Sequence, residues 1–81
     1  MSLISGNQVR AARALIGWSQ LDLANAANIG EMTVKRFESA QNENGGTIKT
    51  LQAIQEALED AGIIFIQRNQ HGGLGVRLKL K

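Results

Sequence analysis

The chain has 81 residues, a formal net charge of +2, no cysteine and no proline, enough for one small domain with a limited core. The missing cysteines exclude disulfide staples and thiolate metal sites, and the slight excess of cations excludes a nonspecific polycation, so a nucleic-acid partner must be met by a few basic groups gathered on one face. No apolar run reaches the length of a membrane span and the first residues carry no secretion-signal pattern, so a cytoplasmic protein with no membrane partner is expected.

In chain order, residues 1–6 read as a short arm, with Ser5 or Asn7 capping a helix that runs from about Gln8 to Leu15 or Ile16. That helix presents Val9, Ala12, Arg13 and Ile16 on one side, and Gly17 ends it in the left-handed conformation. Ser19 starts a second helix, its hydroxyl accepting from the backbone near Asp22, and Asp22 sits where a capping-box acid belongs. Leu23, Ala24 and Ala27 fall on one face of it. Asn28 and Gly30 bracket Ile29, the combination for a turn whose corner is plugged by one apolar side chain. A third helix follows from Glu31, with Val34 and Phe37 inward and polar residues outward. Two short helices joined by a tight turn, with the second exposed, can present that helix to a DNA groove. Residues 41–46 (QNENGG) form a polar loop, Thr47 caps a fourth helix bearing Ile48, Leu51, Ile54, Ala57 and Leu58 at helical spacing, and Gly62 ends it.

The character then changes. Ile63, Ile64, Phe65 and Ile66 are too few and too branched for a helix and read as a strand. A turn region rich in Asn and Gly spans 67–75, and residues 76–81 alternate apolar (Val76, Leu78, Leu80) with basic (Arg77, Lys79, Lys81), as a half-buried strand does. A lone hairpin is marginal in water and needs a surface. Either the helices or a second copy of the chain can supply it. An exposed strand edge favours the second copy, so Ile63, Ile64, Phe65, Ile66, Val76, Leu78 and Leu80 are candidate dimerisation residues. The expected organisation is a helical DNA-binding unit over 1–62 and a dimerising hairpin over 63–81.

The stretch from Trp18 to Glu38 resembles the helix-turn-helix regulators of the phage repressor and Cro type, the XRE family. Ser19-Gln20, Asp22-Leu23-Ala24, Asn28-Ile29, Thr33-Val34 and Phe37-Glu38 stand in register with the family pattern, and the match covers roughly residues 7–62. Leu21 replaces a usual polar residue, Gly30 a usual Ser or Thr, and Glu43 lies in a loop that is often basic. The resemblance implies a mainly α fold, a four-helix lambda-repressor-like DNA-binding domain, here followed by a C-terminal β-hairpin. It places Glu31, Met32, Thr33 and Arg36 at base-reading positions, with Lys35 flanking. Arg36 has the fork to reach guanine O6 and N7, Thr33 can contact a phosphate or a thymine methyl, Met32 either presses on a thymine methyl or is simply an exposed apolar residue, and Glu31 either accepts from cytosine N4 or merely complements the helix dipole. Gln20, at a helix N-terminus that attracts anions, is the family's clamp on the DNA backbone. Asn42, Asn44, Thr47 and Lys49 are further phosphate candidates, the two Asn residues standing equally well as solvated loop. Arg10 on the first helix reads as a solvated residue before a phosphate contact. The resemblance also implies that Arg13 and Glu38 form a largely buried ion pair fixing the angle of the third helix.

Enzyme chemistry has little to stand on. His71 is the single histidine and lies in a Gly-rich turn, Glu59-Asp60 is a solvated helix tip, and the Gly72–Gly75 run lacks the Lys-Ser/Thr of a phosphate loop. No cofactor and no small-molecule ligand are expected. The expected partners are double-stranded DNA and a second copy of the chain, the function being that of a repressor on a palindromic operator. The alternative is an antitoxin whose terminal strands cover a toxin protein, since the family contains both kinds.

Overall fold

The computed structural model describes residues 4–39 and 47–80. They form four helices, α1 (Gly6–Ile16), α2 (Gln20–Ala27), α3 (Glu31–Ser39) and α4 (Ile48–Asp60), then an antiparallel hairpin of β1 (Ile63–Ile66) and β2 (Gly75–Leu78). The molecule is mainly helical, with the small sheet at its C-terminal end.

Local chemistry sets the helix boundaries. Of the two candidate caps for α1, Ser5 is used: its Oγ accepts from the Gln8 amide at 3.1 Å, and the Gln8 side chain accepts from the Ser5 amide at 2.8 Å. The helix therefore begins at Gly6, two residues before the expected start, because the reciprocal box closes around its first turn. Gly17 ends α1 at φ 71°, where a Cβ would be strained. Ser19 and Asp22 close an equivalent box on α2, at 3.0 and 2.9 Å. Asn28 takes the left-handed conformation at φ 58°, and the Ile29 amide returns to the Ala24 carbonyl at 3.0 Å. The chain thus passes from α2 into α3 within three residues, and Ile29 packs against the core at the corner, as its flanking Asn and Gly predict. Thr47 caps α4 through the Thr50 amide.

One core joins all six elements. Ile4, Val9, Leu23, Phe37, Ile54 and Ile63 are among its buried members. Ile48 departs from expectation: it is 58% exposed. It lies about 100° around α4 from the centre of the stripe formed by Leu51, Ile54, Ala57 and Leu58, at the margin of the buried arc.

The hairpin pairs Ile63 with Leu78, Ile64 with Arg77, Phe65 with Val76 and Ile66 with Gly75. Its turn closes at Asn69 and Gly72, the Asn69 carboxamide oxygen accepting from the His71 and Gly72 amides. Phe65 and Val76 pack on the helical core and Ile63 lies within it, 3% exposed, with β1 against α4 and β2 against α1. The surface expected from a second copy is therefore supplied, for the inner face of the sheet, by the chain's own helices. The buried cluster includes residues on both sides of the boundary expected after Gly62. The apolar alternation buries less than expected: Val76 is half-buried, but Leu78, the last residue of β2, is 48% exposed and Leu80, beyond the strand, 94%.

Candidate nucleic-acid interface

Helix α3 has two sides. Val34, Phe37 and Glu38 are buried and Thr33 is half-buried. At about 100° per residue, the remaining side chains, Glu31, Met32, Lys35, Arg36 and Ser39, sweep one continuous outward arc of about 140°. All five are exposed, Met32 by 57%. Lys35 and Arg36 form no ion pair among the described residues, so the arc carries two cations with their donors turned to solvent. Glu31 stands in the first turn, where its charge complements the helix dipole. Gly30 gives α3 no side-chain cap; its carbonyl accepts from the Thr33 and Val34 amides.

The buried side is held by polar bonds. The Arg13 guanidinium meets the Glu38 carboxylate through two bonds, Nε to Oε2 at 2.7 Å and Nη2 to Oε1 at 2.8 Å. Its third donor, Nη1, reaches the Trp18 carbonyl at 3.0 Å, just ahead of the α2 cap. Gln20, the first residue of α2, donates from Nε2 to Glu38 Oε1 at 3.0 Å. One carboxylate, 2% exposed, thus ties α3 to α1 and α2 together. Hydrogen bonding to Glu38, which accepts from the guanidinium, holds the Arg13 pKa above its ordinary value, outweighing the loss of hydration. The sign follows: this contribution is present below the ordinary arginine pKa and is lost only above the raised one, beyond any usable alkaline pH.

Two residues for which the sequence predicts no structural role complete the support. Arg10, read as solvated, donates to the Glu38 carbonyl and to the Asn7 side chain, so it closes the last turn of α3. Gly6 lies against the same turn: a Cβ there would sit 2.7 Å from the Glu38 carbonyl oxygen and 2.9 Å from that of Phe37. The one sequence signal for this contact is a glycine inside a first helical turn, where other residues would serve the helix better. Gln8 does similar work elsewhere. It is 3% exposed, and its Nε2 donates to the Ile66 and Gly75 carbonyls at 3.2 and 3.0 Å, fixing the hairpin on α1.

The phosphate candidates divide. Gln20 is not a free surface residue, since one N–H is held by Glu38; a second N–H and the carbonyl oxygen remain for a ligand. The Thr47 hydroxyl is engaged at the α4 cap, accepting from the Thr50 amide and bonded to the Thr50 hydroxyl. Lys49, the second residue of α4, is exposed. Asn42 and Asn44 lie outside the described residues. Among the described residues no group of three or more His, Asp or Glu side chains is placed to hold a metal, and no helix is long and apolar enough to cross a membrane. No protein-family model matches this chain, and no curated protein matches it.

Proposed function

We propose that this chain is a sequence-specific DNA-binding regulator, a repressor of the lambda-repressor-like helix-turn-helix type that acts as a homodimer on a palindromic operator. The observation that carries the reading is the division of α3: an outward arc with two cations that form no ion pair among the described residues, on a helix whose other side is fixed by the Arg13–Glu38–Gln20 cluster. A rigid, laterally braced helix with a polar outer face suits insertion into the major groove, which admits one α-helix. In that pose the N-terminal part of α3 leads. Met32 and Thr33 meet thymine methyls, Arg36 takes guanine through two hydrogen bonds, and Glu31 serves the helix dipole.

The backbone contacts set register and affinity. Gln20 offers its remaining N–H beside the N-terminal amides of α2 to one phosphate, and Lys35 and Lys49 neutralise others. Two copies on an inverted repeat place their α3 helices about 34 Å apart, one turn of the duplex. Arg13 and Glu38 stay out of the DNA contact and act as its support.

A titration of fluorescent duplex against salt tests the phosphate assignment. Replacing Lys35 with Ala should weaken all sequences alike and make the slope of log K against log salt shallower by about 0.9 per chain. An unchanged slope, or a loss confined to one sequence, would remove Lys35 from the phosphate contacts.

A further inference from the structure

Strand β2 has an open edge. Lys79 donates its amide to the Gly62 carbonyl at 2.7 Å, and the register continues through Ile64 with Arg77 and Ile66 with Gly75. These are the positions whose N–H and C=O groups point across the ladder. Val76 and Leu78 therefore turn theirs to the outer edge of β2, Leu80 lies just beyond the end of the strand, and among the described residues none of the three amides donates to a partner. A groove of about 380 Å³ lies between α1 and this strand, with Asn7, Ala11, Arg68, Leu74 and Val76 on its walls. The apolar row of β2 ends in the exposed Leu78 and Leu80, and Arg77 and Lys79 stand exposed on the opposite face without an ion-pair partner among the described residues.

We propose that this edge accepts an added strand from a partner protein, an extended segment in which apolar and acidic residues alternate. The chemistry on both faces selects it. Side chains opposite Val76, Leu78 and Leu80 turn inward, toward the groove beside α1 and over the bare leucines. Side chains opposite Arg77 and Lys79 turn outward, where carboxylates meet two unpaired cations. The backbone supplies the common affinity of strand addition, and the alternation supplies the choice of partner.

A second copy, the occupant expected from the sequence, fits this edge less well. Antiparallel pairing of residues 76–80 with themselves sets Leu78 on Leu78 but Arg77 opposite Lys79 twice over, and like charges directly opposite are destabilising. A DNA phosphate satisfies the cations but leaves the alternating amides, carbonyls and leucines without partners. The proposal is independent of DNA binding by α3.

The test uses the full chain, ¹⁵N-labelled, and two short blocked peptides, one alternating valine with glutamate and one alternating valine with lysine. The glutamate peptide should shift and protect the Val76, Leu78 and Leu80 amides and bind at least about tenfold tighter than the lysine peptide. The charge-reversed chain R77E/K79E should invert that preference. Leu78→Pro removes only an outward N–H, so it should abolish peptide binding while the helical amide pattern stays intact. Equal binding of the two peptides, absence of binding, or a preference that survives charge reversal would overturn the proposal. So would protection of the three amides in the chain alone that rises with its concentration, which assigns the edge to a second copy. Perturbation of the edge by duplex DNA and by neither peptide would overturn it in favour of nucleic acid.

Discussion

Glu38 does more than any other single side chain to shape this molecule. Buried to 2% exposure, it accepts from Arg13 twice and from Gln20 once, while its carbonyl accepts from Arg10. A carboxylate taken out of water is tolerated only when it is paired and hydrogen-bonded, and here both of its oxygens accept. Replacing Arg13 with Ala removes the charge partner and two of the three bonds. The expected loss is about 3–5 kcal/mol in urea unfolding, whereas replacing Arg13 and Glu38 together with apolar residues of similar size should cost far less. An Arg13→Ala chain as stable as the parent would mean that the ion pair carries no structural weight. The pairing of Arg13 with Glu38 was available from the sequence only through the family resemblance, since spacing alone does not bring residues 25 apart together. The attachment of Gln20 to the same carboxylate was not legible: a Gln at a helix N-terminus suits a phosphate, a solvent position or a neighbouring acid equally well.

At the scale of elements, α1 is the member that sets the others. Its first turn lies against the last turn of α3 through Gly6, its Gln8 holds the ends of both strands, and its last turn braces Glu38 through Arg13. Gly6→Ala tests the first of these links. The added Cβ would meet backbone oxygens, which cannot rotate away, so α1 and α3 must move apart. The expected cost is about 1–3 kcal/mol, with amide shifts concentrated at Phe37 and Glu38. Shifts confined to α1 would show that the two helices are not in register through this contact. The four helices, their caps and the turn at Asn28 were legible because each rests on local chemistry: a hydroxyl three residues before an amide, a left-handed Asn, apolar residues at helical spacing. The burial of Ile63 and the exposure of Ile48 and Leu78 were not, because they depend on which element lies opposite, and periodicity carries no information on that.

For the whole molecule, the hairpin is part of the same core as the helices. Helices α2 and α3 offer one polar surface, the α3 arc; β2 offers another of different chemistry, an open strand edge with apolar and basic alternation. The central claim concerns the first. Selection of bound duplexes from a random pool, made with the parent chain and with Arg36→Ala, tests it most directly. The parent should enrich an inverted repeat with half-sites about one helical turn apart, and Arg36→Ala should lose preference at one base pair in each half-site, equivalent to about 1–3 kcal/mol, while the other positions stay selected. A pool that the parent leaves unenriched, or an identical motif from both chains, would contradict the insertion of α3 into the major groove.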